Sequence, residues 1–246
     1  EIVRGPASVL WGSDAITGVI QLFTNRVSDR SRLDIAGRGG TYGTRDVSGA
    51  LGLVRGAAQL TADGATQETN GVLDFNNGYR TRQASATFRV EPTTRRWVRG
   101  MIRHSDATFH YPTDFLGTPV DSNQYRREKR LVGAVEASAP LSARLTGRVL
   151  VGANELDGIS DNQVDRPGDF AYHDETEASR RVVDGRIDLA LPLDAALTTG
   201  AEWTRQRETN TSNFDASRIN NPFTLDIDAE KLVVNGNGGN DSITGN

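Results

Sequence analysis

The 246-residue sequence predicts an all-β chain, a partial antiparallel up-and-down transmembrane β-barrel of about nine strands. Three observations predict this fold class. From about residue 32 onwards, apolar and polar residues alternate with a period of two, the period of a strand whose two faces meet different surroundings. Most predicted strands exceed the ~5–6 residues usual in soluble sheets. Short and long connections alternate along the chain, as in transmembrane barrels. A soluble meander or jelly roll remains open on the pattern alone.

The alternation defines each strand in turn. Near the end of the pattern, for example, Val183, Gly185 and Ile187 face away from Asp184 and Arg186. No helical stripe of comparable length competes with these segments. The nine predicted strands are roughly 32–40, 45–54, 57–68, 80–91, 96–110, 126–139, 143–155, 179–192 and 196–208.

The connections predict which ends of the strands lie together. A first hairpin turns at 39–43, and from there tight turns alternate with long polar segments. This alternation places all later tight turns at one end of the sheet and all long segments at the other. The tight turns lie near 55–56, 91–94, 139–142 and 191–194, and the long segments near 69–80, 110–126 and 154–180.

Composition excludes several classes of function. Lys and Arg number 28 against 32 Asp and Glu, for a net charge of −4, so nucleic acid is not expected as a partner. With no cysteine, the chain has no disulfide, thiolate zinc site or cysteine nucleophile. No stretch approaches the ~18 apolar residues of a membrane-spanning helix. Nothing in the sequence places its Ser, His and Asp residues together, so we expect that the chain is not an enzyme.

Residues 1–26 carry the most specific motif: EIVRGPASVLWGSDAITGVIQLFTNR. This stretch closely resembles the end of the plug domain of TonB-dependent outer-membrane receptors, without gaps, and its GSDAI form at 12–16 looks most like the cobalamin-transporter branch. The resemblance continues more loosely to about residue 225. It divides the chain into the C-terminal end of a plug at 1–27, the N-terminal portion of the receptor barrel at 28–227, and a tail at 228–246.

The resemblance implies energy-coupled uptake across the bacterial outer membrane, with no covalent chemistry. The implied partners are the TonB energy-coupling complex, outer-membrane lipid, and a small iron- or cobalt-chelate ligand such as a ferric siderophore, haem or cobalamin. It also implies that Arg4 pairs with Glu residues on the inner wall of the barrel, and Glu1 is a second, weaker candidate for a contact between plug and barrel. The start of the plug and more than half of the family's strands have no counterpart in the sequence, so we expect a fragment that does not transport alone.

The tail differs in composition from the rest of the chain. Residues 236–244 resemble one RTX calcium-binding nonapeptide, with Gly236, Gly239, Asp241 and Ile243 at the required positions. Gly236 and Gly239 permit a tight turn, and Asp241 offers carboxylate oxygen to Ca²⁺, the one cofactor that the sequence suggests. A flexible Gly/Asn tail is the alternative. The alternative for the whole chain is a secreted RTX-type calcium-binding or adhesive protein with a soluble β-sheet region.

Two further groups of residues have no firm assignment from sequence. The segment 154–180 is rich in Asp and Glu, but their spacing of about four does not fit an EF-hand loop. We expect a solvated acidic loop there, and the alternative, which the resemblance to the cobalamin-transporter branch would allow, is an extracellular loop that holds Ca²⁺. Trp97, Phe109, Tyr111 and Trp203 either join an aromatic girdle at the membrane interface or pack within the protein.

Overall fold

The computed structural model describes residues 2–4, 18–20, 30–114, 116–192, 195–214, 223–236 and 239–244, and it gives side-chain surroundings for 30–114, 116–192, 195–213 and Ile227. Strands β1 (Ile2–Arg4) and β2 (Gly18–Ile20) form a two-stranded antiparallel sheet. Every other strand in the described ranges belongs to a second sheet.

The second sheet is a continuous antiparallel meander. Within the described residues it has 11 strands, each hydrogen-bonded to the strands before and after it in the sequence, so β3 and β13 are its two edges. The strands are β3 (Arg32–Gly39), β4 (Arg45–Arg55), β5 (Ala58–Thr69), β6 (Tyr79–Thr93), β7 (Arg96–His110), β8 (Tyr125–Pro140), β9 (Leu145–Asn162), β10 (Tyr172–Ala190), β11 (Ala196–Phe214), β12 (Phe223–Gly236) and β13 (Gly239–Thr244).

The predicted fold class is confirmed, because the chain is all-β over the described residues and its 11-stranded sheet is antiparallel and unclosed. Strands β3 to β11 are the nine predicted strands, in the predicted order. Strands β12 and β13 were not predicted, and β12 crosses the predicted boundary at residue 227. The three domain limits remain predictions. In the described ranges, no helix has the length and apolar character needed to cross a membrane.

The register of the sheet places most of the large apolar residues of β3 to β11 on one face. Residues that pair directly across antiparallel strands share a face, and successive residues alternate between faces. Among described side chains, nearly all the large hydrophobic residues that β3 to β11 leave well exposed lie on this apolar face; Met101 and Phe109 lie on the other. The apolar-face residues are Leu33, Ile35, Val47, Leu51, Leu53, Leu60, Phe88, Val90, Val98, Ile102, Leu131, Val135, Val149, Val151, Val183 and Ile187.

The opposite face is polar and is joined by side-chain hydrogen bonds across the strands. The Arg99 Nε donates to Glu136 at 2.7 Å, and an Arg103 guanidinium nitrogen donates to the Gln83 amide oxygen at 2.9 Å. The hydroxyl of Ser85 donates to a neighbouring carboxylate in the same way. Groups of this kind need water or polar partners, so the polar face is suited to a hydrated surface.

The tight turns and the long connections lie at opposite ends of the sheet, as predicted. At the turn end, two residues connect β4 to β5, two connect β6 to β7, and four connect β8 to β9. Gly56, with a φ of +60°, supplies the left-handed conformation that the first of these turns needs. At the loop end, the connections are 40–44, 70–78, 111–124 and 163–171. The predicted long segment at 154–180 was wrong in extent, because β9 continues to Asn162 and β10 already begins at Tyr172.

Of the four aromatic residues with an open assignment, Trp203 lies on the apolar face, because it pairs with Val183. Trp97 lies on the polar face, where the Arg99 guanidinium carbon is 4.6 Å from the centre of its ring. Phe109 also lies on the polar face, and Tyr111 belongs to the connection after β7. A lipid-facing aromatic position is therefore available to Trp203 but not to Trp97 or Phe109.

The strands slide past one another across the sheet. A continuous row of paired residues joins Leu51 of β4 to Arg181 of β10. At the turn end, the pairing of β4 ends at Arg55, four residues beyond the row. The pairing of β10 ends at Ala190, nine residues beyond the row. The slide is thus nearly one residue per strand. With ~3.3 Å per residue and ~4.8 Å between strands, it corresponds to a strand tilt of about 30–35°, near the lower limit for closed barrels.

The apolar face has the height of a bilayer core. On β8 its apolar residues run from Leu131 to Ala139, and at ~3.3 Å per residue they cover about 26 Å along the strand, which at the tilt of about 30–35° is about 22 Å of height. Towards the loop end the same face becomes charged, at Lys129 and Arg127. Outer-membrane barrels carry an outward apolar band ~25 Å tall, so the apolar face matches the lipid-facing surface of such a barrel.

The two faces of β8 give a matched test of this assignment. Val135 lies in the middle of the apolar face, and Val132 lies on the polar face of the same strand. We expect Val135→Lys to cost about 2–4 kcal/mol of membrane insertion, as for a lysine near the bilayer midplane. Val132→Lys should change insertion little. The measurement is the fraction of each variant, expressed from the intact gene, that sediments with the membranes of lysed cells. Equal loss in the two variants would contradict the assignment of the faces.

Candidate functional site at the loop end of the sheet

Three connections at the loop end form the candidate site. We call them loop A (70–78), loop B (111–124) and loop C (163–171). They follow β5, β7 and β9, which all run towards the same end of the antiparallel sheet. Because neighbouring strands hold the bases of the loops next to one another, polar side chains far apart in sequence meet above the sheet.

Asn76 of loop A joins that loop to loop B. Its amide nitrogen donates to the carbonyl oxygens of Tyr111 at 2.8 Å and Gln124 at 3.0 Å, the two ends of loop B. Its amide oxygen lies 2.9 Å from His110 Nδ1. Asn76 has a φ of +35°, a left-handed conformation that asparagine tolerates better than most residues. One side chain therefore closes the base of loop B.

Loops B and C are joined by a reciprocal amide pair. The Asn123 amide nitrogen donates to the Gln163 carbonyl at 2.8 Å, and the Gln163 backbone N–H donates to the Asn123 amide oxygen, also at 2.8 Å. Beside this pair, Asp165 accepts from the Ser122 backbone N–H at 2.7 Å and from the Ser122 hydroxyl. The two loops therefore form one polar unit.

Carboxylates lie at the centre of this unit. Asp121 is 1% exposed, and one of its oxygens accepts from the backbone N–H groups of Gln124 at 2.8 Å and Asn123 at 3.1 Å. Each of Asp121, Asp165 and Asp169 has a carboxylate oxygen within 4.8 Å of one on the others. Asp121 belongs to loop B and the other two to loop C, so the cluster exists only when the loops are in contact.

Arg166 supplies positive charge beside this cluster. Its guanidinium nitrogens lie 3.4 Å from Asp165, 3.7 Å from Asp114 and 3.8 Å from Asp169. One of them donates to the Val120 carbonyl at 3.0 Å. The carboxylate distances exceed those of good charge-assisted hydrogen bonds, ~2.7–2.9 Å. Arg166 therefore offsets the negative charge without a close ion pair.

A cavity of about 350 Å³ lies between loops B and C. The Gln124 side-chain amide donates to the Tyr172 hydroxyl at 2.6 Å across its floor. The ring centres of Phe170 and Tyr172 are 6.1 Å apart. The cavity thus combines an aromatic wall with acidic groups. Its lining includes Tyr111, Asp121, Asn162, Arg166, Asp169 and Tyr172.

The residues predicted from sequence lie elsewhere. The backbone of Arg4 pairs with Gly18, but its side chain and all of Glu1 lie outside the described residues. Gly236 pairs with Gly239 across the β12–β13 hairpin, and Asp241 pairs with Val234; the side chains there are also outside the described set. The plug contact and the RTX calcium site therefore remain predictions.

Sequence reasoning missed the loop B–loop C cluster. It considered the acidic residues of 154–180 as one segment, whereas Glu155 and Asp157 belong to β9 and Asp165 belongs to loop C. The available signal was the combination of two Asp-rich connections at the same end of the sheet. Recognising it required pairing loop C with Asp121, about forty residues earlier in the chain.

The contact between loops B and C should depend on pH through Asp165. The Ser122 hydroxyl, followed by the Ser122 backbone N–H, holds the pKa of Asp165 below its usual value. A lowered folded-state pKa gives stabilisation that is present above the usual aspartate pKa of ~3.9 and is lost as pH falls through the folded value. Ser122→Ala should therefore move acid opening of the loops to higher pH.

The opening is measured by hydrogen exchange of loop B and loop C peptides between pH 3 and 6. Thr118→Ser, also in loop B and outside the Asp165 contact, is the control. An unchanged opening pH in Ser122→Ala would show that this hydroxyl does not stabilise the ionised Asp165.

Comparisons with known proteins identify the fold. No protein-family model matches the sequence, and no curated protein is significantly similar to it. Solved structures do match. One is the siderophore receptor PiuA from Acinetobacter baumannii, which matches with a TM-score of 0.65, 10% identity and coverage of 95% of this chain and 43% of that chain. The outer-membrane ferripyoverdine receptor of Pseudomonas aeruginosa, solved with ferripyoverdine, matches with a TM-score of 0.63, 12% identity and coverage of 100% and 43%.

The copper transporter OprC also matches, with a TM-score of 0.64, 16% identity and coverage of 95% of this chain and 39% of that chain. The present chain thus spans less than half the length of these structures. Identities this low establish a shared fold only. That fold is a partial antiparallel β-barrel like the corresponding part of these receptor and transporter structures.

Proposed function

We propose that the chain is part of a TonB-dependent outer-membrane receptor that imports a scarce chelated ligand without chemical conversion. The observation that carries the proposal is the register of the sheet, which keeps every strand from β3 to β11 apolar on one face and polar on the other. Such a sheet separates lipid from water, which is the task of a receptor wall.

The exposed apolar face supports a membrane location over a soluble sheet. Ile35 and Leu33 are 77% and 66% exposed, and Val149 and Ile102 are each 52% exposed. In a soluble protein a contiguous apolar surface of this size would be covered by a second layer. Among the described residues no second layer packs on the face, and lipid is the partner that matches its height and chemistry. We therefore place the chain in the bacterial outer membrane.

The polar face supports a hydrated lumen that could hold a plug. Glu136 and Glu202 lie on this face, and Arg99 is paired with the first of them. Exchangeable ion pairs with partly exposed carboxylates cost little to break, which suits a plug that shifts during transport. We propose that Arg4 and Glu1 belong to the plug surface that meets this wall, and that the TonB complex acts on the plug.

The described strands do not close into a barrel. β3 and β13 each have one hydrogen-bonded neighbour, and an open strand edge is not tolerated within the hydrocarbon core. This chain covers 43% of the PiuA receptor and 43% of the ferripyoverdine receptor. We propose that further strands close the barrel and that the present chain does not transport without them.

For the ligand, the sequence resemblance allowed a ferric siderophore, haem or cobalamin. Two of the structural neighbours are named for siderophores and one for copper, and this favours a metal chelate of the siderophore type. Loops A, B and C would form the outer rim that contacts the ligand. The secreted RTX-type protein remains the alternative, and it predicts a sheet that is not in the outer membrane.

Single-cysteine labelling tests the membrane orientation, because the chain has no cysteine of its own. Thr118 lies in loop B and Arg144 in the turn between β8 and β9, and both are exposed. We expect a large polyethylene-glycol maleimide to label Thr118→Cys in intact cells. Arg144→Cys should react only after the outer membrane is permeabilised. Secretion of the chain, or equal labelling of the two positions in intact cells, would favour the RTX alternative.

Uptake assays test the transport proposal. A strain without the gene should accumulate several-fold less of one labelled ligand, with ferric siderophore, haem and cobalamin tested separately. The intact gene should restore accumulation, and collapse of the proton-motive force should abolish it, since uptake is energy-coupled. Unchanged accumulation of all three ligands would contradict a role in their import, even if cysteine labelling placed the chain in the outer membrane.

A further inference from the structure

His173 lies between two carboxylates at the base of loop C. It is the second residue of β10, and it pairs with Asp161 of β9 across the ladder. Its Nδ1 lies 2.7 Å from an Asp161 carboxylate oxygen, and its Nε2 lies 3.1 Å from a Glu175 carboxylate oxygen. A neutral imidazole carries a hydrogen on only one of its two nitrogens. Both contacts are therefore hydrogen bonds only when the ring is the doubly protonated imidazolium.

On the β9 side of the ring, the other titratable or charged groups are distant or have partners of their own. In the row of paired residues that contains His173, they are Tyr125 and His110, two and three strands away. In the adjacent row on the same face, Arg127 of β8 is paired with Asp106. The charge that the ring meets on this side therefore comes from the carboxylates at the base of loop C.

On the other side of the ring, β11 presents uncharged side chains. Asn213 pairs with His173, and Thr211 pairs with Glu175. In the described structure, Asp161 and Glu175 form their ion pairs with His173. The three groups form a small polar cluster that joins the end of β9 to the start of β10.

This cluster lies beyond the apolar band, in contact with water. Val183 belongs to the apolar face of β10 and is ten residues nearer the turn end, about 33 Å along the strand at ~3.3 Å per residue. Hydrogen bonding to Asp161, and then to Glu175, raises the pKa of His173 above its usual value of ~6.5. The imidazolium is thus retained to higher pH than in an unpaired histidine.

We propose that His173 is a pH-sensitive clamp, which holds the base of loop C closed as the imidazolium and releases it on deprotonation. Loss of the proton leaves a lone pair on one ring nitrogen facing a carboxylate oxygen, so an attractive contact becomes repulsive. Beyond this pair of residues, only the pairing of Asn162 with Tyr172 remains between β9 and β10. Both of these residues line the cavity between loops B and C.

The clamp should weaken as pH rises. A group whose pKa is raised on folding contributes stabilisation that is complete below its unfolded pKa, ~6.5 for histidine, and is lost as pH rises through the folded value. Loop C should therefore become more mobile as pH rises through the folded pKa of His173. The Asp165 contact has the opposite sign and is lost in acid, so the two contacts are measured in separate pH ranges.

Hydrogen exchange of loop C tests the clamp. The product of the intact gene is extracted from membranes in detergent, and exchange of loop C peptides is followed between pH 6 and 9. After correction for the intrinsic pH dependence of amide exchange, we expect the protection of loop C to fall several-fold across this range. Peptides from the middle of β8 should keep constant protection. His173→Gln should abolish the fall in loop C.

Two carboxylate variants on β10 separate the clamp from a general charge effect. Glu175→Gln gives the ring an amide that can donate or accept, so the protection of loop C should no longer fall as pH rises. Glu177→Gln removes an exposed carboxylate from the same strand and face, outside the His173 contacts, and should keep the fall. Slow exchange of the imidazole C2 hydrogen in the same peptides gives the pKa of His173, which should be lower in Glu175→Gln than in the unsubstituted chain.

Three results would overturn the proposal. They are constant protection of loop C between pH 6 and 9 in the unsubstituted chain, an undiminished fall in His173→Gln, and loss of the fall in Glu177→Gln. If the His173 variant does not fold, exchange of the C2 hydrogen in the unsubstituted chain still decides, because a pKa at or below 6.5 would contradict the clamp. None of these outcomes depends on uptake, so the clamp can fail while the receptor proposal stands.

Discussion

The register of the antiparallel ladder is the constraint on which the rest of the structure depends. Because the side-chain period of a strand is two, a slip of one residue would turn every side chain of that strand to the other face. In β9 such a slip would move Val149 and Val151 to the polar side and Arg148 and Asn154 to the apolar side. In a bilayer the charged and polar groups would then meet hydrocarbon. Burial of the apolar face and correct pairing therefore depend on each other.

The same ladder determines the shape of the wall and its open ends. A slide of nearly one residue per strand tilts the strands and makes the apolar band oblique to them, as a barrel requires. The ladder also ends at β3 and β13, whose outer backbone N–H and C=O groups have no hydrogen-bonded neighbour within the described sheet. A soluble sandwich would solve this problem by covering the apolar face. A membrane wall can solve it only by adding strands until the edges meet.

The sequence was sufficient to predict the strands in which apolar residues on one face alternate with polar residues on the other. Leu131, Gly133 and Val135 alternate with residues of the polar face, and the structure places them as the pattern predicts. The pattern failed where β9 extends beyond the apolar band. Glu155 and Asp157 lie on the same face as the apolar residues of β9 but nearer the loop end, where charged side chains are tolerated. Without apolar alternation, this part of β9 was predicted as a loop. The cluster of Asp121 with Asp165 was beyond local patterns altogether, since register alone brings loops B and C together.

The loops are held in a different way from the sheet, and this difference has a functional consequence. The large apolar side chains of the sheet lie on its exposed apolar face, and among the described residues no apolar core lies beneath the loops. Their cohesion comes instead from single polar side chains such as Asn76 and Asn123, each bonding two connections. Hydrogen bonds at the surface exchange with water and contribute little each, so the loops should open well before the ladder unfolds. Under the proposed receptor function, a rigid wall with a separable polar rim would let the rim adapt to a ligand while the wall stays intact.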